Sequence, residues 1–296
     1  MKIINTLSEN KNLVLSLGFF DGVHIAHQKI ISQAVSISKK ENLKSAVITF
    51  EKSPASCFLN YPCFNITTND KKTELIKELG VDYLYILDFE KFKNLSAKDY
   101  IENVLIKNFS PNTIITGFNH TFGANKSGNS KLLHQYKDFN YVELNEIKIN
   151  DITVSSTNIK NFIQNGKIEL ANKMLGRNFS VSGNVVYGNQ IARKLGYKTA
   201  NIIFDKNIIK PKYGVYKGFV NYDGKKYQAI INFGIRPSID KDLKETLEAH
   251  LINFDKEIYG ENIEVEFTSK IRDEIKFHSF DELKNQIEKD FKSITL

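Results

Sequence analysis

Near Gly176 the hydrophobic rhythm of the chain changes, and the change splits one sequence into two folding problems. Upstream, short apolar runs alternate with segments of helical spacing. Leu13–Leu17 is followed by 29–40, in which Ile30, Ile31, Ala34, Val35 and Ile37 recur on one side; Ala46–Phe50 is followed by 71–79, Tyr83–Leu87 by 96–109, and that by 114–116. Ser96 with Asp99 three residues on resembles a capping box and opens its segment. This alternation predicts a Rossmann-like α/β domain: a mostly parallel sheet with helices on both faces, binding ligands at the carboxyl ends of its strands. Downstream, 178–270 reads as β-type segments with little helical period. Two alternating runs, 213–222 and 226–233, flank Asp223-Gly224, a strong hairpin signal. Further strands are expected at 246–254 and 262–269, and a last helix from Ser279, where Glu282 completes a capping box. The expected fold is an antiparallel β-barrel with a C-terminal helix. The domains are expected at 1–176 and 177–296, joined by a connection near 175–182.

The chain has 296 residues, enough for two domains that each bury a core. With 41% hydrophobic and 25% charged residues it has the composition of a folded globular protein. No run approaches the roughly 18 apolar residues of a membrane helix, and the first twelve residues lack the apolar region of a secretory signal. Cys57 and Cys63 fit no zinc or redox spacing and no disulfide framework, as in a reducing compartment. A cytoplasmic protein without a membrane partner is expected. The net charge of +7, from 41 basic and 34 acidic residues, is carried by scattered lysines with no block of five like charges. That favours anionic small substrates over nucleic acid, which would need clustered cations interleaved with aromatics. Oligomeric state is not legible.

The segment Gly18-Phe-Phe-Asp-Gly-Val-His24-Ile-Ala-His27 lies between the first strand and the first helix. Residues three apart at a helix start share a side, so both imidazoles point over the end of the strand. Helix N-termini favour anions, and two imidazoles there can donate hydrogen bonds to a triphosphate and to charge developing at its α-phosphate. Gly18 and Gly22 permit close approach of backbone to ligand. The structural alternative is two histidines satisfied at a helix cap. Further on, Ser155, Ser156 and Thr157 precede a helix, where hydroxyls serve equally as an N-cap or a phosphate cradle.

These residues resemble the FAD synthetase (FMN adenylyltransferase) family, a branch of the His-x-Gly-His nucleotidyltransferases. GFFDGVHIAH is similar to its G-x-F-D-G-V-H-x-G-H signature, Gly117–Gly123 to its G-x-D-F-x-F-G loop, and Ser155–Lys160 to its S-S-T-x-I-R motif. The resemblance implies that Gly18, Phe20, Asp21, Gly22, Ser155, Ser156, Thr157 and Lys160 bind nucleotide and phosphate. It makes His24 and His27 catalytic and Asn119 and Phe122 candidates for flavin or adenine contact. The sequence departs from the pattern at Ala26 for Gly, at Lys160 for Arg, at Asn119 near an Asp position, and at 50–54, which lacks the family's Pro-His-Pro.

The second half opens with Gly183, Gly188 and Gly196, spaced as in a loop over phosphates. Thr199 and Asn201 are hard oxygen ligands two apart on a strand, hence on one face, and suit Mg²⁺, although Thr-x-Asn alone is equally a plain strand. Glu248, with His250 on the same face, reads either as a general base or as polar residues at a strand edge. In order, 183–201, 213–216, 232–238, 248–251, 259–260 and 271–277 resemble the riboflavin kinase family. That likeness implies that Thr199 and Asn201 hold Mg²⁺–ATP and that Glu248 takes the proton of the ribityl hydroxyl. Gly188 and Gly196 would cover phosphates, and Arg236 would serve substrate placement or barrel packing. Lys198 and Ala249 depart from the family's Pro and Thr. Together the two resemblances imply a bifunctional flavin enzyme using riboflavin, FMN and ATP with Mg²⁺. Its rivals are a kinase with a weak nucleotide-binding N-terminal half, a non-enzymatic flavin- or RNA-binding protein, and a nucleotidyltransferase for another substrate.

Overall fold

The apolar runs of the N-terminal half become one sheet. The structure is a computed structural model and describes residues 1–57, 63–188, 199–237 and 243–295. In the first of its two units, Met1–Ser156, strands Lys2–Ile4 (β1) and Leu13–Leu17 (β2) are followed by helix Ile25–Lys40 (α1) and strand Lys44–Phe50 (β3). Helix Asn69–Glu78 (α2) and strand Tyr83–Leu87 (β4) come next. A continuous helix (α3) runs through Ala97–Asp99, Tyr100–Ile106 and Lys107–Phe109, its middle stretch π-wound. Strand Thr113–Gly117 (β5), helix Ser130–Leu133 (α4), strand Asn140–Leu144 (β6) and a small hairpin, Lys148–Ile149 (β7) with Ile152–Thr153 (β8), complete it.

The main sheet has the order β1-β4-β3-β2-β5-β6, and every pair is parallel. Parallel crossovers are right-handed, so the chain moves outward from β2 over one face and returns to β5 over the other. The packing follows. On one face Ile30, Ile31, Ala34 and Val35 of α1 and Ile76 of α2 pack with Val14, Val47, Leu84 and Ile115. On the other, Tyr100, Ile101, Val104, Leu105 and Phe109 of α3 pack with Leu13, Leu15, Leu17, Ala46, Ile48 and Ile114. Successive strand residues serve opposite faces, as the pleat requires. Each fully buried aliphatic side chain stabilises the fold by roughly 1.5–3 kcal/mol. Because β2 is flanked by β3 and β5, whose connections diverge, the carboxyl end of β2 is the topological switch point, where sheets of this kind bind ligands.

The second unit, Thr157–Leu296, includes helix Ile168–Leu175, which follows helix Ser156–Gln164 (α5) and is labelled α6. Strands Phe179–Val186 (β9), Ala200–Phe204 (β10), Gly214–Tyr222 (β11), Lys225–Pro237 (β12), Leu243–Leu251 (β13) and Asn262–Arg272 (β14) follow, then helix Phe280–Thr295 (α7). The strands close into an antiparallel barrel, β10-β13-β12-β11-β14-β9. Asp223 and Gly224, at φ 50° and 68°, make the hairpin turn between β11 and β12. The strand expected at 246–254 instead ends at Leu251, because Asn253 turns the chain at φ 53°. The barrel core takes Phe179, Val181, Ile202, Val220, Ile231, Phe233, Leu247, Ala249, Val265 and Phe267. Ser279 caps α7 by accepting from the N–H of Glu282, whose carboxylate accepts from the N–H of His278. Arg272 at the end of β14 grips Asp290 of α7 through Nε–Oδ1 (3.0 Å), Nε–Oδ2 (3.1 Å) and Nη2–Oδ2 (2.8 Å). Among the described residues no helix is long and apolar enough to cross a membrane.

Candidate active sites

The first site grows from a strained turn. After β2 the chain adopts positive φ at Phe20 (55°), Gly22 (77°) and Val23 (40°). Non-glycine residues enter this region at a cost of order 1–3 kcal/mol each. Burial offsets it, since Phe20 and Val23 are each 1% exposed. The Phe20 ring lies over Gly18, where a Cβ would come within 3.0 Å of it, and Ile66 would meet a Cβ on Gly22 at 2.9 Å. The Asp21 carboxylate is buried and accepts from the Ile66 N–H at 2.7 Å, while Thr67 Oγ1 accepts from the Gly22 N–H at 3.3 Å.

The turn delivers His24 to the N-cap of α1. Its Nδ1 accepts the His27 N–H at 3.4 Å, which places the ring proton on Nε2. The His24 and His27 rings stack with centroids 3.5 Å apart, and Phe20 meets His27 edge-on at 5.2 Å. Burial, then the neighbouring His24 and the Lys72 cation, hold His27 well below the usual imidazole pKa, so it is neutral near pH 7. Its Nδ1 is buried without a hydrogen-bond partner. The Ser156 hydroxyl donates to the carbonyl of Asp21 at 3.0 Å, bringing the serine-rich motif to this turn. Ser155 precedes α5, and Thr157 and Lys160 occupy its first turns.

The loop after β5 starts beside the same strand end, because β5 is the neighbour of β2. Asn119 on it is exposed. Phe122 is 9% exposed and packs on Tyr100 (5.7 Å) and His120 (5.7 Å) within the α3-side core. A Cβ on Gly128 would sit 2.4 Å from that ring.

Two residues of this site escape the sequence reading. Lys72 is 2% exposed and donates to the Phe50 carbonyl at 2.9 Å; burial lowers its pKa to about 8. The available signal was a charge on the apolar face of α2, one turn before Ile76. His120, whose Nε2 is buried without a partner, is lowered by burial to about 4. It lies inside the glycine-bounded loop already singled out.

The second site lies on the barrel. Gly188, Thr199 and Asn201 line one pocket with Val185, Leu251 and Tyr259. A Cβ on Gly188 would be 2.3 Å from Asn201 Nδ2 and 2.6 Å from its Oδ1, so only glycine lets the backbone lie against that amide. Asn201 on β10 and Glu248 on β13 are direct cross-strand partners, and Asn232 on β12 pairs with Glu248 from the other side. The inward residues of β13 are Leu247 and Ala249, so Glu248 stands on the outer face, yet it is only 7% exposed. On that face His250 meets Phe291 of α7 edge-on at 4.9 Å. Arg236 pairs with Lys244 in the ladder, and its side chain lies outside the described residues, as does Gly196. Thr199 and Asn201 offer a hydroxyl and an amide oxygen, hard donors that fit Mg²⁺, with Glu248 beside Asn201 on the next strand.

A parallel-sheet domain with paired histidines at its switch point, followed by a closed barrel, is the arrangement of a nucleotidyltransferase joined to a kinase. Residues 6–158 match the FAD synthetase family and residues 175–295 the riboflavin kinase family. A bifunctional riboflavin kinase/FMN adenylyltransferase of Buchnera aphidicola subsp. Schizaphis graminum is 41% identical over 99% of this chain and 98% of its own length. One from Bacillus subtilis is 34% identical over 95% and 91%. A crystal structure described as a macrolide-efflux protein from Streptococcus pneumoniae superposes with a TM-score of 0.89 at 31% identity, covering 99% of this chain and 95% of that one. The chain belongs to the bifunctional riboflavin kinase/FMN adenylyltransferase family.

Proposed function

We propose that this protein makes flavin cofactors in two steps, phosphorylating riboflavin to FMN in its barrel half and adenylylating FMN to FAD in its N-terminal half, with ATP as co-substrate of both. The two family matches in tandem over one chain carry this reading. The catalytic halves are taken as 1–176 and 177–296, working in the cytoplasm.

In the kinase half, Glu248 is the general base that receives the proton of the ribityl 5′-hydroxyl as its oxygen meets the γ-phosphorus. Thr199 and Asn201 would hold Mg²⁺, which neutralises phosphate charge when bound. Gly188 and Gly196 cover the phosphates, and Arg236 orients substrate. The pairing of Asn201 with Glu248 supports this reading, because it sets phosphate-holding and proton-accepting groups side by side on one face.

In the adenylyltransferase half, a phosphate oxygen of FMN attacks the α-phosphorus of ATP and pyrophosphate leaves. His24 and His27 donate hydrogen bonds to the oxygens on which charge accumulates, with no covalent enzyme intermediate. Gly18, Phe20, Asp21 and Gly22 shape the anion cradle. Ser155, Ser156, Thr157 and Lys160 bind the departing phosphates, and Asn119 and Phe122 serve the flavin or adenine ring. The stacked histidines support this role, His27 in particular, since a neutral donor strengthens its hydrogen bond as charge builds without a prior ion pair to break.

The test is chromatography of the flavins formed from riboflavin, ATP and Mg²⁺, and separately from FMN and ATP. Conversion through FMN to FAD is expected. A reaction that stops at FMN, with supplied FMN left unadenylylated, would reduce the N-terminal half to a nucleotide-binding module.

A further inference from the structure

Lys72 is a buried lysine next to the turn that carries His24 and His27. It sits on α2 with its ammonium at the carboxyl ends of the central strands. Nζ donates to the carbonyl of Phe50 at 2.9 Å and reaches Thr49 Oγ1 at 3.5 Å. The Thr49 hydroxyl donates onward to the carbonyl of Phe19 at 2.8 Å, and the Gly18 N–H donates to the Ile48 carbonyl at 3.2 Å. The Phe19 ring lies 4.5 Å from the ammonium. The end of β3 is therefore sewn to the turn that carries His24 and His27, with the lysine at the knot.

The charges around it are few. From the turn comes the buried carboxylate of Asp21, which favours the ammonium; from α1 come His24 and His27, and the lysine opposes protonation of His27. On its own helix Lys71 is paired with Glu74 at 3.2 Å. Stacked on His24 at 3.5 Å and beside the cation, His27 is held neutral and keeps a ring N–H to donate.

We propose that Lys72 is a positioning residue of the adenylyl-transfer site: its buried ammonium fastens the His24–His27 turn to β3 and places a positive charge behind the imidazole pair. This rests on the adenylyltransferase reading of the N-terminal half, and its test can fail independently of that reading.

The experiment uses the full chain labelled at histidine. The His27 ring is titrated by NMR in the wild type, Lys72→Met and Lys72→Arg, and FMN adenylylation and riboflavin phosphorylation are assayed on the same preparations. In the wild type the His27 resonances should move a second time near pH 8 as Lys72 loses its proton. Lys72→Arg, which keeps its charge, should lack that step. In Lys72→Met, His27 should titrate higher by about half a pH unit or more, because a neighbouring cation is gone. The kcat of adenylylation should fall about tenfold or more, consistent with loss of electrostatic support at a charge-developing site. Riboflavin phosphorylation should be unchanged. A His27 titration identical in wild type and Lys72→Met overturns the proposal, as does a second step that persists in Lys72→Arg. If Lys72→Met does not fold, the second step in the wild type and its loss in Lys72→Arg decide the matter. A wild type that leaves FMN unadenylylated counts against the activity, whereas the His27 titration alone judges Lys72.

Discussion

Gly188 offers a separable test of the barrel site. Ordinary van der Waals contact begins near 3.4 Å, and a Cβ at this position would lie 2.3 Å from Asn201 Nδ2. In Gly188→Ala the Asn201 amide must therefore retreat by about 1 Å, and a displacement of that size at a positioning group costs on the order of 10²-fold in rate. The moving part is the far end of a side chain, so the fold should lose less than about 1 kcal/mol, as surface-lying substitutions do. The assay follows riboflavin phosphorylation and FMN adenylylation in one preparation. The expected outcome is a roughly 10²-fold drop in kcat/KM for the kinase, with adenylylation and melting temperature near wild type. A kinase within about threefold of wild type would refute the argument that backbone at 188 and amide at 201 share a catalytic space. Equal loss of both activities would refute it too, by pointing to a global defect.

Glu248→Gln keeps the shape and removes the base; riboflavin phosphorylation should fall by about 10²–10⁴-fold while FMN adenylylation persists, read from flavin products on a column. Arg272→Met leaves Asp290, 4% exposed, as a buried carboxylate without its cation. Loss of one partner from such a pair costs roughly 3–5 kcal/mol, visible as a lowered urea midpoint for the barrel unit. His27 is depressed below 6.5, so the unfolded chain takes up a proton there that the folded chain refuses. Its contribution therefore makes stability fall as pH drops through about 6.5, and His27→Gln should flatten that part of the stability–pH curve in denaturant titrations.

The sequence made both architectures legible because each core states its period. The run Leu13–Leu17 is buried at every residue, as a central parallel strand requires, and β11 with β12 alternates around an Asp-Gly turn. Short or half-buried strands gave no such signal. Lys2–Ile4 is a three-residue edge strand, and Asn140–Leu144 carries no fully buried residue, so neither reads as apolar in isolation. At the sites, the His24–His27 pairing followed from spacing, and the structure brings the rings into stacking contact. Lys72 was hidden because its partners, Thr49 and the Phe50 carbonyl, belong to β3 and meet α2 only in the folded chain. Glu248 was visible as a charge within a strand, but its coverage on the outer face depends on the folded barrel and its surroundings.

The strained turn at Phe20–Val23 bears on how the enzyme ages. Residues that resist their own backbone geometry are kept there by the packing of Phe20 and Val23 and by hydrogen bonds from Ile66, Thr49 and Ser156, so the histidines hold their places by the integrity of the surrounding structure rather than by local preference. Anything that softens that interior, such as modest heat, a cavity under Phe20 or slow chemical wear, releases the turn before the sheet itself comes apart. Adenylylation should then be the first activity an ageing preparation loses, while the barrel goes on making FMN.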